Sequence, residues 1–389
     1  MYQIKLLNKI SKSGLQTFDS SKFSYGEDVA SPDGILVRSA DMLNAAFGKN
    51  LLCIGRAGAG VNNIPVDRCS EEGIVVFNTP GANANAVKEM AVCALLLASR
   101  KVVDAVNWVS SVADQGDEIP KLVEKNKSKF AGPELKGKTL GVIGLGAVGA
   151  QLANTAVSLG MDVYGYDPFL TVDAAWRLSR SVRHAKSEKE LYEKCDYISV
   201  HIPYNKDTKG QFNASVFAEM KDGVRIINLA RGELFNNADL VAALESGKIA
   251  CYVTDFPNSD VIKAPNTVCI PHLAASTPES EENCAVMAVK EISDYIDRGI
   301  IKNSVNFPDM DPVVGEGSAL LVLHRNIPNM IANVTQAFSS LGINIESLTN
   351  KSKKDYAATV AQIVDGEIPE SVCERLSGIE GIIRVRVLK

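Results

Sequence analysis

KTLGVIGLGAVGAQLANTAVSLGMDVYGYDP, residues 138–168, decides the fold of this chain. The apolar run Thr139–Ile143 reads as a buried parallel strand. It breaks into Gly144, Gly146 and Gly149 and passes into a helical pattern of Leu152, Ala153, Ala156 and Leu159. A second strand, Val163–Tyr166, ends at Asp167. Strand, glycine turn, helix and acid-ended strand together form a dinucleotide-binding fingerprint. Gly144 permits the tight turn, Gly146 lets the backbone approach a pyrophosphate, and Gly149 lets the helix pack close to the strand. The N–H groups around Ala147 and Val148 then face the anion. Asp167 can accept hydrogen bonds from both hydroxyls of an adenosine ribose and repels a 2′-phosphate. Pro168 and Phe169 bring no compensating cation, so the expected cofactor is NAD rather than NADP.

On either side of this stretch, strands alternate with helices. Gly34–Val37 runs into Arg38-Ser39, Leu51–Ile54 into the loop Gly55–Gly60, and Ile74–Phe77 into Asn78–Gly81. Ala84–Ala98 is helical, with Val87, Met90, Ala91, Ala94, Leu95 and Ala98 on one face. Residues 101–137 are more polar and read as a connecting arm. Beyond Asp167, strands are expected at Tyr197–His201, Val224–Leu229, Ala250–Thr254 and Val268–Ile270, and a long amphipathic helix at Pro278–Asp297. Such alternation implies parallel sheets with ligands beyond the strand C-termini. Residues 302–317 read as a linker. The pattern then becomes strand Ala319–Leu323, helix Met330–Leu341, strands Ile343–Thr349 and Ala357–Val364, helix Glu370–Leu376 and strand Ile382–Val387. That is a ferredoxin-like βαββαβ unit. The expected organisation is a first α/β domain over 1–100, completed by 285–303, and a dinucleotide-binding domain over 101–284. A linker at 304–317 and a small domain over 318–389 complete it. The fold class is α/β, with two Rossmann-like doubly wound parallel-sheet domains and the ferredoxin-like unit.

Chemistry is expected where strand ends converge. Arg231, in NLARGEL, follows one strand, and His272 follows another. A nicotinamide cofactor needs a group that exchanges a hydroxyl proton, and imidazole titrates near neutrality. It also needs a cation for an adjacent carboxylate, which the planar guanidinium fork matches.

The chain resembles the D-2-hydroxyacid dehydrogenase family nearly end to end, through GRAGAGVNNI (55–64), NTPG (78–81), GVIGLGAVG (141–149), HIPYNKDTKG (201–210), NLARGEL (228–234) and PHLAAST (271–277). LVRSA (36–40), VNFP (305–308) and the C-terminal βαββαβ unit point to members that end in an ACT domain. The resemblance implies NAD-dependent oxidation of 3-phospho-D-glycerate to 3-phosphooxypyruvate, the step that opens L-serine synthesis. It implies that Arg231 binds the carboxylate and polarises C2, and that His272 accepts the C2 hydroxyl proton. It implies that Asp255 holds the nicotinamide carboxamide and that Leu229, Ala230 and Arg231 line the nicotinamide site. Arg38 and Ser39 would bind substrate, Arg38 its phosphate, and Gly60 would contribute backbone near the carboxylate. The family usually places a Glu three residues after the Phe of its DxF-type strand end. Here Ser259 stands there, and Asp260 is the nearest carboxylate that could hold His272. In the ACT domain, the resemblance implies that His324, Asn326 and Asn344 bind an L-serine effector across a domain pair. That makes the chain a homo-oligomer, dimer or tetramer. Two alternatives stay open there: Asn326 and Asn344 cap turns only, and Asn329, where the family has Gly, alters the local backbone. A glyoxylate or hydroxypyruvate reductase would use the same Arg/His chemistry, and a non-catalytic NAD sensor could share the fold.

Composition narrows the classes further. The 389 residues suggest two or three domains, and 46% apolar with 22% charged residues describes a globular protein. A net charge of −5 argues against non-specific nucleic-acid binding. The longest apolar stretch, Met90–Ala98, is too short to span a membrane, and the N-terminus has no uninterrupted apolar segment of the signal-peptide kind. Eight scattered cysteines with no CxxC pattern suggest reduced thiols in a cytoplasmic protein and no metal site.

Overall fold

Short apolar runs that end in polar clusters become the parallel strands of two sheets in the computed structural model, which describes residues 1–312, 317–363 and 366–388. The chain divides into two units, residues 1–83 with 278–389, and residues 84–277. In the first, β1 (Tyr2–Leu7), β2 (Phe23–Gly26), β3 (Gly34–Val37), β4 (Cys53–Arg56) and β5 (Val75–Asn78) form a parallel sheet in the order β2-β1-β3-β4-β5. Strand order reverses at β1, so the segments after β1 and β3 flank a crevice at the sheet's C-terminal edge. The helix Pro278–Arg298 turns Cys284, Ala285, Ala288, Val289, Ile292, Tyr295 and Ile296 into the core shared with Ile4, Leu36, Cys53, Val75 and Phe77.

The second unit holds seven parallel strands: β6 (Thr139–Ile143), β7 (Asp162–Tyr166), β8 (Arg183–His184), β9 (Tyr197–Val200), β10 (Val224–Asn228), β11 (Ile249–Thr254) and β12 (Thr267–Cys269). Their order is β12-β11-β10-β9-β6-β7-β8, a doubly wound sheet that reverses between β6 and β9. The helix Ala84–Ser99, expected in the first domain, belongs to this unit. Its apolar face, with Val87, Ala91, Ala94, Leu95 and Ala98, packs with Leu140, Val142, Leu152 and Ala153. The division therefore falls at residues 83/84 and 277/278 rather than at 100/101 and 284/285. The expected polar arm contains helices Val102–Ser111 and Ile119–Asn126, neither with a buried residue.

The C-terminal segment forms an antiparallel sheet of β13 (Ala319–Arg325), β14 (Ser347–Lys353), β15 (Tyr356–Gln362) and β16 (Ile382–Leu388), ordered β14-β15-β13-β16. Helices Met330–Ser339 and Glu370–Ser377 cover one face through Val334, Phe338, Val372 and Leu376, against Leu320 and Val322. The other face does not stand free. Ala319, Leu321, Leu323, Ala358 and Val360 join the core of the first unit beside Tyr295, Phe307 and Met310. On β16, Arg384 donates to the carbonyl of Leu51 at 2.6 Å and Arg386 to that of Ile296 at 2.8 Å, with its guanidinium over the Tyr295 ring.

The described part of residues 304–317 is not a loose linker either. Asn306 accepts from the Val76 N–H at 2.9 Å and donates to Ile74 O at 2.9 Å, which seals the outer edge of β5. Residues 313–316 of that segment, Val364 of the expected strand and Lys389 lie outside the described residues. No helix among the described residues is long and apolar enough to cross a membrane.

Candidate active site

The glycine turn sits where the second sheet reverses. Gly144 has φ +88°, and a Cβ there would fall 2.7 Å from the carbonyl oxygen of His201, the residue after β9. A Cβ on Gly149 would fall 1.9 Å from the carbonyl oxygen of Gly144, so the helix Ala147–Ser158 rests directly on the turn. A Cβ on Gly146 would meet nothing within 4 Å, so the backbone that leads into the helix faces open space. Ala147 and Val148 open that helix, where first-turn N–H groups have no intrahelical acceptor. Asp167 anchors the turn: its carboxylate accepts from Leu145 N–H and from Phe169 N–H, each at 2.9 Å. A carboxylate has about four lone-pair sites, so acceptor capacity remains for ribose hydroxyls.

Farther along the same edge, Asn228 ends β10 fully buried and shapes the next three residues. Its amide donates to Arg231 O at 2.9 Å and to the Tyr252 hydroxyl at 3.0 Å, and its oxygen accepts from Ala230 N–H at 3.1 Å. Leu229, Ala230 and Arg231 are thereby fixed. After β11, Thr254 accepts from Phe256 N–H at 3.0 Å, and Phe256 becomes the common platform. The Arg231 guanidinium lies 5.5 Å from its ring centroid and the His272 ring 4.7 Å from it. His272 is held at φ +36°, in the left-handed region that only a few per cent of non-glycine residues adopt. Its N–H donates to Asp255 O at 2.9 Å. Such strain persists only where surrounding structure enforces it, and it concentrates at functional sites.

Asp255 is 1% exposed. One carboxylate oxygen accepts from Ala274 N–H at 3.2 Å; the other is buried with no partner among the described residues. Burial raises its pKa, opposed by the Ala274 N–H and the charges of His272 and Arg231. The second histidine at this edge, His201, is bonded to Ser199 Oγ at 2.8 Å, and burial pushes its pKa down to about 4. It is neutral at physiological pH. These groups fit NAD. The turn leaves room for a pyrophosphate, Asp167 has acceptors for the ribose, and the unpartnered Asp255 oxygen is matched to a carboxamide NH₂. Among the described residues no three His, Cys, Asp or Glu side chains are grouped to hold a metal ion.

Asp260 is not brought to His272. Asn258 accepts from the N–H groups of Asp260 and Val261 at 3.1 and 3.0 Å, starting a short 3-10 turn, and the Asp260 carboxylate meets Ser259 Oγ at 3.4 Å. In the first unit, Arg38 and Ser39 follow β3 and Gly60 closes the loop after β4. Asn8 accepts from Ser39 N–H at 3.0 Å, and the Arg38 side chain pairs with Glu281 at 2.8 Å.

The ACT-type residues are not gathered within one chain. His324 is 2% exposed; its Nδ1 faces Arg325 O at 2.8 Å and its Nε2 the Thr359 hydroxyl at 2.9 Å. A carbonyl only accepts, so Nδ1 carries the proton. Asn326, at the far end of β13, donates to Lys354 O at 3.1 Å, whereas Asn344 precedes β14 at the opposite end of the sheet. Asn329 takes φ +71°, the left-handed conformation that Asn tolerates in place of Gly. Asn228 and Phe256 are the residues the sequence reading passed over. Asn228 lies inside a motif already noted, with a buried amide as its only signal.

Residues 92–274 match the family model for the D-isomer specific 2-hydroxyacid dehydrogenase NAD binding domain. The chain is 35% identical over 316 residues to a D-3-phosphoglycerate dehydrogenase of Archaeoglobus fulgidus, covering 77% of this chain and 57% of that one. It is 32% identical over 328 residues to one of Bacillus subtilis, covering 80% and 60%. The chain thus spans about three fifths of the length of these two relatives. For a D-3-phosphoglycerate dehydrogenase of Haemophilus influenzae, identity is 32% over 366 residues, covering 90% and 84%. The solved structure of NAD+-bound 3-phosphoglycerate dehydrogenase from Entamoeba histolytica superposes with a TM-score of 0.61 at 26% identity, covering 78% of this chain and 98% of that one. Glycine turn, strand order and relatives agree, and the chain belongs to the family of D-isomer specific 2-hydroxyacid dehydrogenases.

Proposed function

We propose that this chain catalyses the NAD-dependent oxidation of 3-phospho-D-glycerate to 3-phosphooxypyruvate, feeding L-serine synthesis in the cytoplasm. The observation that carries the reading is the placement of Arg231 and His272 on one ring, Phe256, beside the unpartnered oxygen of Asp255. NAD, when bound, supplies the hydride acceptor. Arg231 would grip the substrate carboxylate with its fork and draw charge from C2. His272 would take the proton of the C2 hydroxyl as hydride leaves C2. Leu229 to Arg231 would border the nicotinamide, and Asp255 would fix its carboxamide. Arg38, Ser39 and Gly60 would serve the substrate's other end, Arg38 its phosphate. The relatives named above, D-3-phosphoglycerate dehydrogenases, support the choice of acid.

We further propose that L-serine acts at the C-terminal sheet of a homo-oligomer. In favour of a site shared by two copies stands the separation of Asn326 from Asn344, about 20 Å for a strand of this length. A second reading, a glyoxylate or hydroxypyruvate reductase, is favoured by one contact: Arg38 already pairs with Glu281. NADH formation with 3-phospho-D-glycerate, beside D-glycerate and under an L-serine titration, decides. Turnover of the phosphorylated acid alone is expected, falling as serine rises. Equal use of D-glycerate would favour the reductase, and turnover indifferent to serine would remove the effector.

A further inference from the structure

At the C-terminal edge of the first sheet, two arginines and one carboxylate form a cluster that these roles leave unexplained. Arg56 closes β4 and donates through Nε to the carbonyl of Arg38 at 3.1 Å. Its guanidinium lies against Gly58, where a Cβ would fall 2.1 Å from Nη1 and 2.8 Å from Cζ. Gly58 has φ +148°, a conformation that favours glycine, and a Cβ there would push the Arg56 guanidinium away. From the other side Asn8 accepts from the N–H groups of Ser39 and Ala40. The backbone at 38–40 is therefore pinned by Arg56 and Asn8, and the Arg38 side chain finds its own partner. Its Nη2 sits 2.8 Å from Glu281 Oε1, with both side chains about two-fifths exposed.

Glu281 is well placed to hold a cation. It lies in the first turn of a 21-residue helix, where the peptide dipoles favour an anion. One turn further on, buried Cys284 senses the same charges: burial pushes its thiol pKa up, while the Arg56 and Arg38 charges pull it back. The pair is nevertheless weak, since half-exposed ion pairs are worth little in water.

We propose that Glu281 is a resident counter-ion that the substrate's phosphate must displace from Arg38, and that it sets the affinity for the phosphorylated acid. The inference rests on the phosphorylated-acid reading. A phosphate offers three strong acceptor oxygens and close to two charges, so it outcompetes one carboxylate for the fork. Once displaced, Glu281 stays on its helix beside the phosphate and repels it, which holds KM up. An acid without phosphate leaves the pair intact.

The test compares Glu281→Gln and Glu281→Ala with the unaltered protein. With 3-phospho-D-glycerate, KM falls about two- to five-fold in both variants, by more than kcat changes, while KM for D-glycerate moves far less. High salt narrows the difference. An unchanged or higher KM for the phosphorylated acid, or equal falls for both acids, overturns the proposal and leaves the function reading standing. If the unaltered protein turns over neither acid, the function reading fails by itself. Calorimetric titration with inorganic phosphate then judges Glu281: tighter binding by Glu281→Gln supports the counter-ion role, and equal binding removes it.

Discussion

The rim of the second sheet and the C-terminal sheet both carry residues picked out by motif, yet they treat them differently. At the rim, Arg231, Asp255 and His272 come from separate strand ends and meet around Phe256. In the C-terminal sheet, His324 turns inward and Asn326 and Asn344 lie at opposite ends. Which end of its strand each residue occupies explains the difference. In a parallel sheet every strand C-terminus reaches the same edge, so residues that follow strands converge without further design. In the C-terminal sheet β13 and β14 also run the same way, both antiparallel to β15, but Asn326 follows its strand whereas Asn344 precedes its own, so the two fall at opposite ends.

The largest expected effect lies at the rim. Arg231→Ala should lower kcat/KM about a thousandfold, while NADH affinity, read by its fluorescence, changes little. Lost NADH affinity with turnover retained would assign Arg231 to the cofactor and break the convergence. His324→Ala should cost about 1–3 kcal/mol of stability in urea unfolding, since it removes a buried ring together with its bonds to the Thr359 hydroxyl and the Arg325 carbonyl. An unchanged unfolding midpoint with an abolished serine response would instead make His324 a ligand and erase the contrast between the two sheets. Asp260→Asn should leave the pH profile of kcat/KM within about twofold of the original, because its carboxylate meets Ser259 and not His272. A displaced profile would show that the carboxylate reaches His272 during turnover.

Much of this was legible because apolar runs, glycines and terminal acids leave strong marks. GxGxxG with Asp167 placed β6, its helix and β7 together, and β9 to β12 followed from their polar ends, whereas the two-residue β8 left no mark. β1 and β2 escaped because Lys5 interrupts YQIKLL and FSYG is a short edge strand. The apolar pattern suggests a strand over Ile343–Thr349, but Ile343 and Ile345 pack from the preceding loop. The strand itself, SLTNKSK, lies four residues later, on an edge that needs no apolar face. Asp260 looked close to His272 in sequence; Asn258 redirects the loop by capping it. The helix Ala84–Ser99 displayed its apolar face plainly, but which sheet that face would meet is a matter of tertiary fit.

The docking of β13 and β15 through Leu321, Leu323, Ala358 and Val360 bears on modularity. The C-terminal sheet is a keystone more than an appendage. A chain truncated before Ala319 would bare the apolar ground around Tyr295, Phe307 and Met310, and would strip the carbonyls of Leu51 and Ile296 of Arg384 and Arg386. Grafting that sheet onto another member of the family would therefore mean transplanting the surface beneath it as well.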